Sequence, residues 1–440
     1  MNIKITIKSS RSDIHITGLV AAVIAALTPS MVIRGLDQLE IKLLMPIWAC
    51  RGAPTKRLCI AFGMFLAISM FAKPLPAQEV SRNCGAPAPV CAWMQKVVGI
   101  KTPNMIASGT MIAPNFILTN RHVVEDHAVI TVRTASGDIK SARPIPHDVP
   151  VDLVILRLEG IAKKLSLEEL ISKELTPDLA TGTAQILHVV AFDKGRSQTL
   201  AYNPSSYANF PNLGANPRAR IHSDAEALPG NSGGAVVDEA GRLVGILAAG
   251  GGDMSEIIPI FYLSALLKSS RDEAGIDHAE AFFAQGKAIR DCADLLYDAG
   301  PIMRNPSVDL VQALEAACLA SENRMLFDQA GQKFGQWWMF AKSKTFLRKS
   351  LGLDPDSPNS LMSLAVTYHL NREMEKSKPL LARYLDINPQ NSQALRLAVQ
   401  VAGVSKDKKL AERVLRLMAV HNPAAMPMAQ GFIDKAFAPE

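Results

Sequence analysis

Residues 228–250 read LPGNSGGAVVDEAGRLVGILAAG, with Ser232 inside Gly230-Asn231-Ser232-Gly233-Gly234. The five residues satisfy G-x-S-x-G, the sharp strand-to-helix elbow that exposes a nucleophilic serine in α/β-hydrolases. Glycines and a serine also make plain tight turns with no chemistry. The residues after the serine separate these readings. An elbow needs a helix directly after it. Here Ala235-Val236-Val237 and Leu243-Val244-Gly245-Ile246-Leu247 are short β-branched runs, and Asp238-Glu239-Ala240-Gly241 between them is turn chemistry. That pattern predicts a β-hairpin. An elbow serine also precedes its acid and its histidine along the chain. The histidines after Ser232 are His278, His369 and His421, all in helix-patterned segments. The elbow reading fails.

Upstream, residues 107–126 read ASGTMIAPNFILTNRHVVED. An apolar strand, Phe116-Ile117-Leu118, delivers Thr119-Asn120-Arg121-His122 to its end. Residues 148–158, DVPVDLVILRL, place Asp152 at the head of another apolar strand. TNRHVV, VDLVILRL and LPGNSGGAVV together resemble the three signatures of the chymotrypsin-like (trypsin-like) serine proteases, in particular the bacterial HtrA-like branch. The His, Asp, Ser order and the spacings of 30 and 80 residues match that branch. The resemblance covers about residues 95–268. It implies a double β-barrel fold and a serine endopeptidase activity on protein or peptide substrates; no residue spacing resembles a zinc site, and nothing in the sequence suggests a cofactor.

The residue types fit that chemistry. A serine hydroxyl is a poor nucleophile unless a base removes its proton as it attacks. His122 is the candidate base, because imidazole exchanges protons near neutral pH. Asp152 is the candidate partner for the other ring nitrogen, fixing the tautomer and stabilising the imidazolium. The backbone N–H groups of Gly230 and Ser232 are the candidate oxyanion hole. Asp148 competes with Asp152, but only Asp152 directly heads the strand. His127, His147, His188 and His222 lack such context and read as structural or exposed. Glu226, six residues before the serine, occupies the position that forms the base of the P1-binding pocket in the resembling family. A buried carboxylate there would select Lys or Arg. The alternatives are that Glu226 faces solvent or pairs with Arg218 or Arg220.

The chain has 440 residues, too many for one typical domain, and a modest net charge of +6. No basic run with interleaved aromatics points to nucleic acid. Thr55-Lys56-Arg57, the apolar run LCIAFGMFLAISMFA at 58–72 and LPA ending at Ala77 read as an export leader, with a mature start at Gln78. Leu75 departs from the usual A-x-A site. A second apolar stretch at 16–33 reaches the lower length limit of a membrane span. Met45 would begin a conventional leader, so residues 1–44 read as an over-extended start, with a membrane anchor as the other reading. Both imply export to the periplasm or outside the cell. Downstream of Ala77, Cys84, Cys91, Cys292 and Cys318 favour disulfides in an oxidising compartment. Cys84–Cys91 and Cys292–Cys318 are the preferred pairs. For the second pair, two small buried apolar residues is the competing reading.

After about residue 270 the pattern turns helical. Pro355, Pro389 and Pro423 recur every 34 residues, the tetratricopeptide (TPR) period. Leu361, Leu364, Ala365 and Tyr368 line one helix face, and Phe327, Ala330, Gly331 and Phe334 fill the equivalent places one period earlier. Leu395, Ala398, Val399 and Ala402 follow in a more degenerate unit. Ser343 and Ser377 replace the usual alanine. The repeats look like TPR units stacked into an all-α, protein-binding solenoid, with a non-repetitive bundle as the alternative. The expected division is therefore 1–77 extension and leader, 78–268 protease-like domain, 269–322 connecting helices, and 323–440 TPR-like repeats. No PDZ-like β-rich segment follows the protease-like part. Two functions compete: an exported serine endopeptidase with a protein-binding solenoid, and a TPR-like adaptor on a catalytically silent protease fold.

Overall fold

The computed structural model describes residues 4–8, 13–17, 84–160, 186–211, 218–250, 254–271, 275–301 and 305–438. The leader at 55–77, the proposed start at Gln78 and the apolar stretch from residue 18 onward lie outside them. Residues up to Ser81 form a separate unit. In it, β1 (Lys4–Lys8) and β2 (Asp13–Thr17) pair antiparallel, Lys4 opposite Thr17. Among the described residues, no helix is long and apolar enough to cross a membrane.

The second unit begins with a six-stranded closed barrel. Its strands are β3 (Val97–Lys101), β4 (Ile106–Ala113), β5 (Phe116–Thr119), β6 (Ile130–Arg133), β7 (Ile139–Pro144) and β8 (Val154–Leu158), joined in the order β3-β4-β5-β8-β7-β6. In β6, Ile130 and Val132 are buried and the residues between them exposed, the period-2 signature of a one-faced strand. All four residues of β5 are buried, because its two faces serve two cores. Ile117 fills the barrel with Val98, Ile100 and Leu156. Phe116 and Leu118 turn the other way and pack with Val190, Val237 and Ile246 of the second sheet.

That second sheet contains β9 (Leu187–Asp193), β10 (Gln198–Ala201), β11 (Ala208–Asn209), β12 (Ile221–Ser223), β13 (Ala235–Asp238), β14 (Leu243–Ala249) and β15 (Ser255–Pro259). Its order is β10-β9-β13-β14-β15-β12-β11. The connection from β10 to β11 bridges the two edges. Tyr202 and Ser205 donate to Val189 and Leu187 on one side, while Asn203 and Tyr207 accept from Glu226 and Asp224 on the other. The result is a second barrel-like sheet, as the chymotrypsin-like resemblance implies. β13 and β14 form the expected hairpin, with Gly241 at φ +76° in its turn. Two short helices, α1 (Ala88–Cys91) and α2 (Arg121–Val124), complete this half.

Helices α3 (Tyr262–Arg271), α4 (Gly275–Asp298) and α5 (Val308–Ser321) follow. Cys84–Cys91 and Cys292–Cys318 are disulfide-bonded, the latter joining α4 to α5. Three helical hairpins come next: α6 (Arg324–Gln336) with α7 (Phe340–Leu353), α8 (Pro358–Leu370) with α9 (Met374–Ile387), and α10 (Ser392–Val404) with α11 (Lys408–His421). A last helix, α12 (Met426–Phe437), packs on α10. The 34-residue period is built into the chain's turns. Asn323, Ser357 and Asn391 each cap the first helix of a hairpin through a side-chain oxygen. Trp338, Arg372 and Lys406 each take positive φ between the two helices. The two buried serines are satisfied: Ser343 Oγ lies 3.0 Å from Thr367 Oγ1, and Ser377 Oγ donates to Ala365 O.

The division near residue 268 does not coincide with a break in packing. Phe282 of α4 is 3% exposed and belongs to the core of the first barrel. Gly286 lets α4 approach the chain after His122, since a Cβ there would lie 2.1 Å from Glu125 O. α4 is therefore part of the barrel's packing.

Candidate active site

Strand β5 ends at Thr119, and after Asn120 the chain makes the single turn of α2, which carries His122. Four contacts seat the Asp152 loop against this turn. Asn120 Nδ2 and Arg121 N donate to Asp152 O, at 3.1 and 3.3 Å. His122 N donates to Asp152 Oδ1 at 2.9 Å, and His122 Nδ1 lies 2.7 Å from Asp152 Oδ2. An ionised carboxylate there assigns the proton to Nδ1 and leaves Nε2, the outer nitrogen, as an acceptor. Burial alone would raise the Asp152 carboxyl. The His122 pair and the charge of Arg220 outweigh it and hold the group below the usual carboxylate value. Asp148 is exposed and accepts from Ser269 Oγ instead.

The Ser232 loop is pinned between the two barrels. Ser108 N donates to Ser232 O, Thr110 Oγ1 to Gly233 O, and Gly233 N to Leu247 O. Gly233 has φ +87°, and a Cβ there would meet Ser108 O at 1.9 Å and Thr119 Oγ1 at 2.4 Å. Only glycine allows this approach. Gly230 has φ +103°, and neither its N–H nor that of Ser232 donates a hydrogen bond among the described residues. Ser232 Oγ donates to Ala248 O at 3.1 Å, and no hydrogen bond joins it to His122 among the described residues. The histidine and acid are thus together, while the serine hydroxyl is turned to a backbone carbonyl.

Sequence reasoning passed over Asn231. Its amide donates to Phe192 O and Tyr202 Oη, and its Oδ1 accepts from Leu228 N at 2.6 Å. These bonds fix the loop on either side of Gly230. Its place between Gly230 and Ser232 was the only available signal.

Glu226 is not the buried base of a pocket. Ala225 and Ala227 on either side of it are buried, so the extended chain turns Glu226 outward. Its carboxylate accepts from Asn203 N and Nδ2, and Arg220 pairs elsewhere. A side chain at Gly250 would run into Ala227 Cβ, so these two segments pass close together.

His147 is buried, with Nε2 2.9 Å from Leu153 O and Nδ1 accepting from Val149 N. Burial pulls its pKa down to about 4. His188 is buried, with no hydrogen bond to either ring nitrogen among the described residues. His127 lies beside Glu125 and Asp126. Those three are the group among the described residues whose ligand atoms could meet a metal, but Asn104 and Arg290 already hold Glu125 and Asp126. His222 belongs to a buried charged cluster between the second barrel and the helical hairpins. His222 Nε2 lies 2.9 Å from Asp354 Oδ2, and Arg220 N donates to Asp354 Oδ1. Glu256 is shared by Arg220 and Arg324.

Residues 107–246 match the family model of the trypsin-like peptidase domain. A serine endoprotease DegS from Haemophilus influenzae is 28% identical over 149 residues, 32% of this chain and 41% of that protein. A probable periplasmic serine endoprotease, DegP-like, from Pseudomonas fluorescens is 32% identical over 142 residues, 32% of this chain and 28% of that protein. The chain thus spans less than half the length of these curated relatives. A solved serine endoprotease from Yersinia pestis is 19% identical, covering 42% of this chain and 66% of that one, with a TM-score of 0.34.

Proposed function

We propose, from the trypsin-like peptidase domain that this chain carries at residues 107–246, that the protein is an exported serine endopeptidase. The observation that carries the reading is the buried 2.7 Å contact between His122 and Asp152, beside the Gly-Asn-Ser-Gly-Gly sequence around Ser232. In this reading Ser232 Oγ leaves Ala248 O, turns to His122 Nε2 and attacks the scissile carbonyl as His122 takes its proton. Asp152 steadies the imidazolium, and His122 then returns the proton to the leaving amine. The N–H groups of Gly230 and Ser232 meet the oxyanion, each such donor being worth roughly 3 kcal/mol in the transition state. Asn231 is a positioning residue for that hole.

Ala227 and Gly250 favour small apolar P1 residues. The carboxylate of Glu226, exposed and held by Asn203, acts at the rim. The leader pattern, the two disulfides and the periplasmic location in the relative's name support export. The helical hairpins serve to bind protein substrates or partners. One observation favours the rival reading, a binding protein on a silent protease fold: Ser232 Oγ is committed to Ala248 O. A P1-varied peptide series on wild type, Ser232→Ala and Glu226→Ala decides the matter. The proposal requires cleavage that Ser232→Ala abolishes, with small apolar P1 residues leading in both active forms. A lead for Lys and Arg that Glu226→Ala removes would restore Glu226 as the specificity determinant. Equal cleavage by Ser232→Ala would end the endopeptidase reading.

A further inference from the structure

A cavity of about 420 Å³ reaches Asp152 between the second barrel and the helical hairpins. Arg121, Arg218, Arg220, Arg324 and Lys349 line it, against two carboxylates, Asp152 and Glu322. Asp152 is already engaged by His122, and nearby Glu256 is divided between Arg220 and Arg324. Asp354 is engaged by His222. Arg121, Arg218 and Lys349 have no ion-pair partner among the described residues. Arg121 is 2% exposed, its Nε has no hydrogen-bond partner, and its other nitrogens donate to the main-chain carbonyls of Glu125 and Phe282. Burial lowers its pKa only to about 10, so it stays a cation at neutral pH.

A buried guanidinium without a direct ion-pair partner is costly; the charges of Asp152, Asp126 and Glu125 offset the burial of this one only in part, and it sits in a wall with surplus positive charge. The volume falls in the roughly 300–1,000 Å³ range of small-molecule sites. Guanidinium forks match the oxygens of phosphates in geometry and charge. We propose that this cavity is a binding site for a small phosphate-bearing anion, free or esterified, clasped by Arg121, Arg218 and Lys349. The site requires no peptidase chemistry, so it is tested on inactive Ser232→Ala protein of full length. Its failure would leave the active-site reading untouched.

Inorganic pyrophosphate and glycerol 3-phosphate are titrated separately by calorimetry and by thermal unfolding, with ionic strength held constant by sodium chloride. The expected result is one-site binding, with a stabilisation that grows with the logarithm of ligand concentration. The tighter of the two probes tells whether the free or the esterified form is preferred. Arg218→Glu/Lys349→Glu changes two exposed side chains that have no ion-pair partner, and it should weaken binding by about tenfold or more. If neither probe binds beyond the effect of matched salt, or if the double variant binds equally well, the assignment is wrong.

Discussion

Among the described residues are two buried histidine–aspartate pairs of nearly equal length, His122–Asp152 at 2.7 Å and His222–Asp354 at 2.9 Å. They differ in which nitrogen is spent. His122 meets its acid through Nδ1, the nitrogen nearer the backbone, and leaves the outer Nε2, which the proposed mechanism uses. His222 meets its acid through Nε2, so the tip of the ring is consumed in joining barrel to helices. A close carboxylate therefore does not by itself mark a catalytic base. The role proposed for His122 rests instead on the orientation of its ring and on the serine loop.

The sharpest way to break this contrast is to remove each ring in turn. His122→Ala should lower peptide cleavage by on the order of 10⁴-fold or more, because triad members act as a unit, with a thermal midpoint close to wild type. His222→Ala should keep cleavage and lose stability, by about 1–3 kcal/mol, because the buried Asp354 carboxylate loses a hydrogen-bond partner while keeping those from Arg220 N and Asp356 N. Measuring kcat/KM and urea unfolding on both variants tests the pair. Equal inactivation by both would dissolve the distinction.

A second contrast lies between the two halves of the sequence and the packing that joins them. Phe282 is a helical residue that completes a β-barrel core, and its ring also lies against Arg121, 3.7 Å from the guanidinium carbon. Phe282→Ala should cost roughly 3–5 kcal/mol of stability, as large-to-small core changes do. A chain ended near residue 270 lacks the ring altogether and should lose serine-directed labelling. Full labelling of that truncated chain would show that the barrel does not need α4.

The catalytic-type motifs, the hairpin after Ser232, the disulfide pairs and the 34-residue period were all legible, because each is a local pattern of residue types. Asp152 could be preferred to Asp148 from its place at a strand head. What escaped was contact between distant segments. Nothing local to His222 or Arg220 announces Asp354, 132 residues away from the histidine, or Arg324 on the far side of Glu256. Phe282 and Phe283 read as the apolar face of an amphipathic helix, and periodicity gives the face without naming what covers it. Glu226 was placed by counting back from the serine, but the alternation of Ala225 and Ala227 decides where it points.

A smaller effect sharpens the contrast by adding a third histidine. His147 is held neutral, with its pKa lowered from 6.5 to about 4 by burial. The unfolded chain binds the extra proton between those values. Its contribution is therefore complete above pH 6.5 and lost as pH falls toward about 4, amounting to about 3 kcal/mol. Asp152 and Asp354, whose carboxyls are held low, lose their contributions only below the ordinary carboxylate value of 3.8. Urea midpoints across pH 7 to 4 should fall in wild type and fall less steeply in His147→Gln, with His188, whose pKa burial also lowers, carrying the rest. An unchanged slope in the variant would mean that another group carries the acid sensitivity.

The central claim is that His122, held by Asp152, activates Ser232. A fluorophosphonate probe reacts with activated serines, and mass spectrometry of the digested full-length chain locates the adduct. The expected result is a single adduct on Ser232 in wild type and in His222→Ala, and none in His122→Ala. Labelling absent from wild type, or persisting at the wild-type rate in His122→Ala, would contradict it.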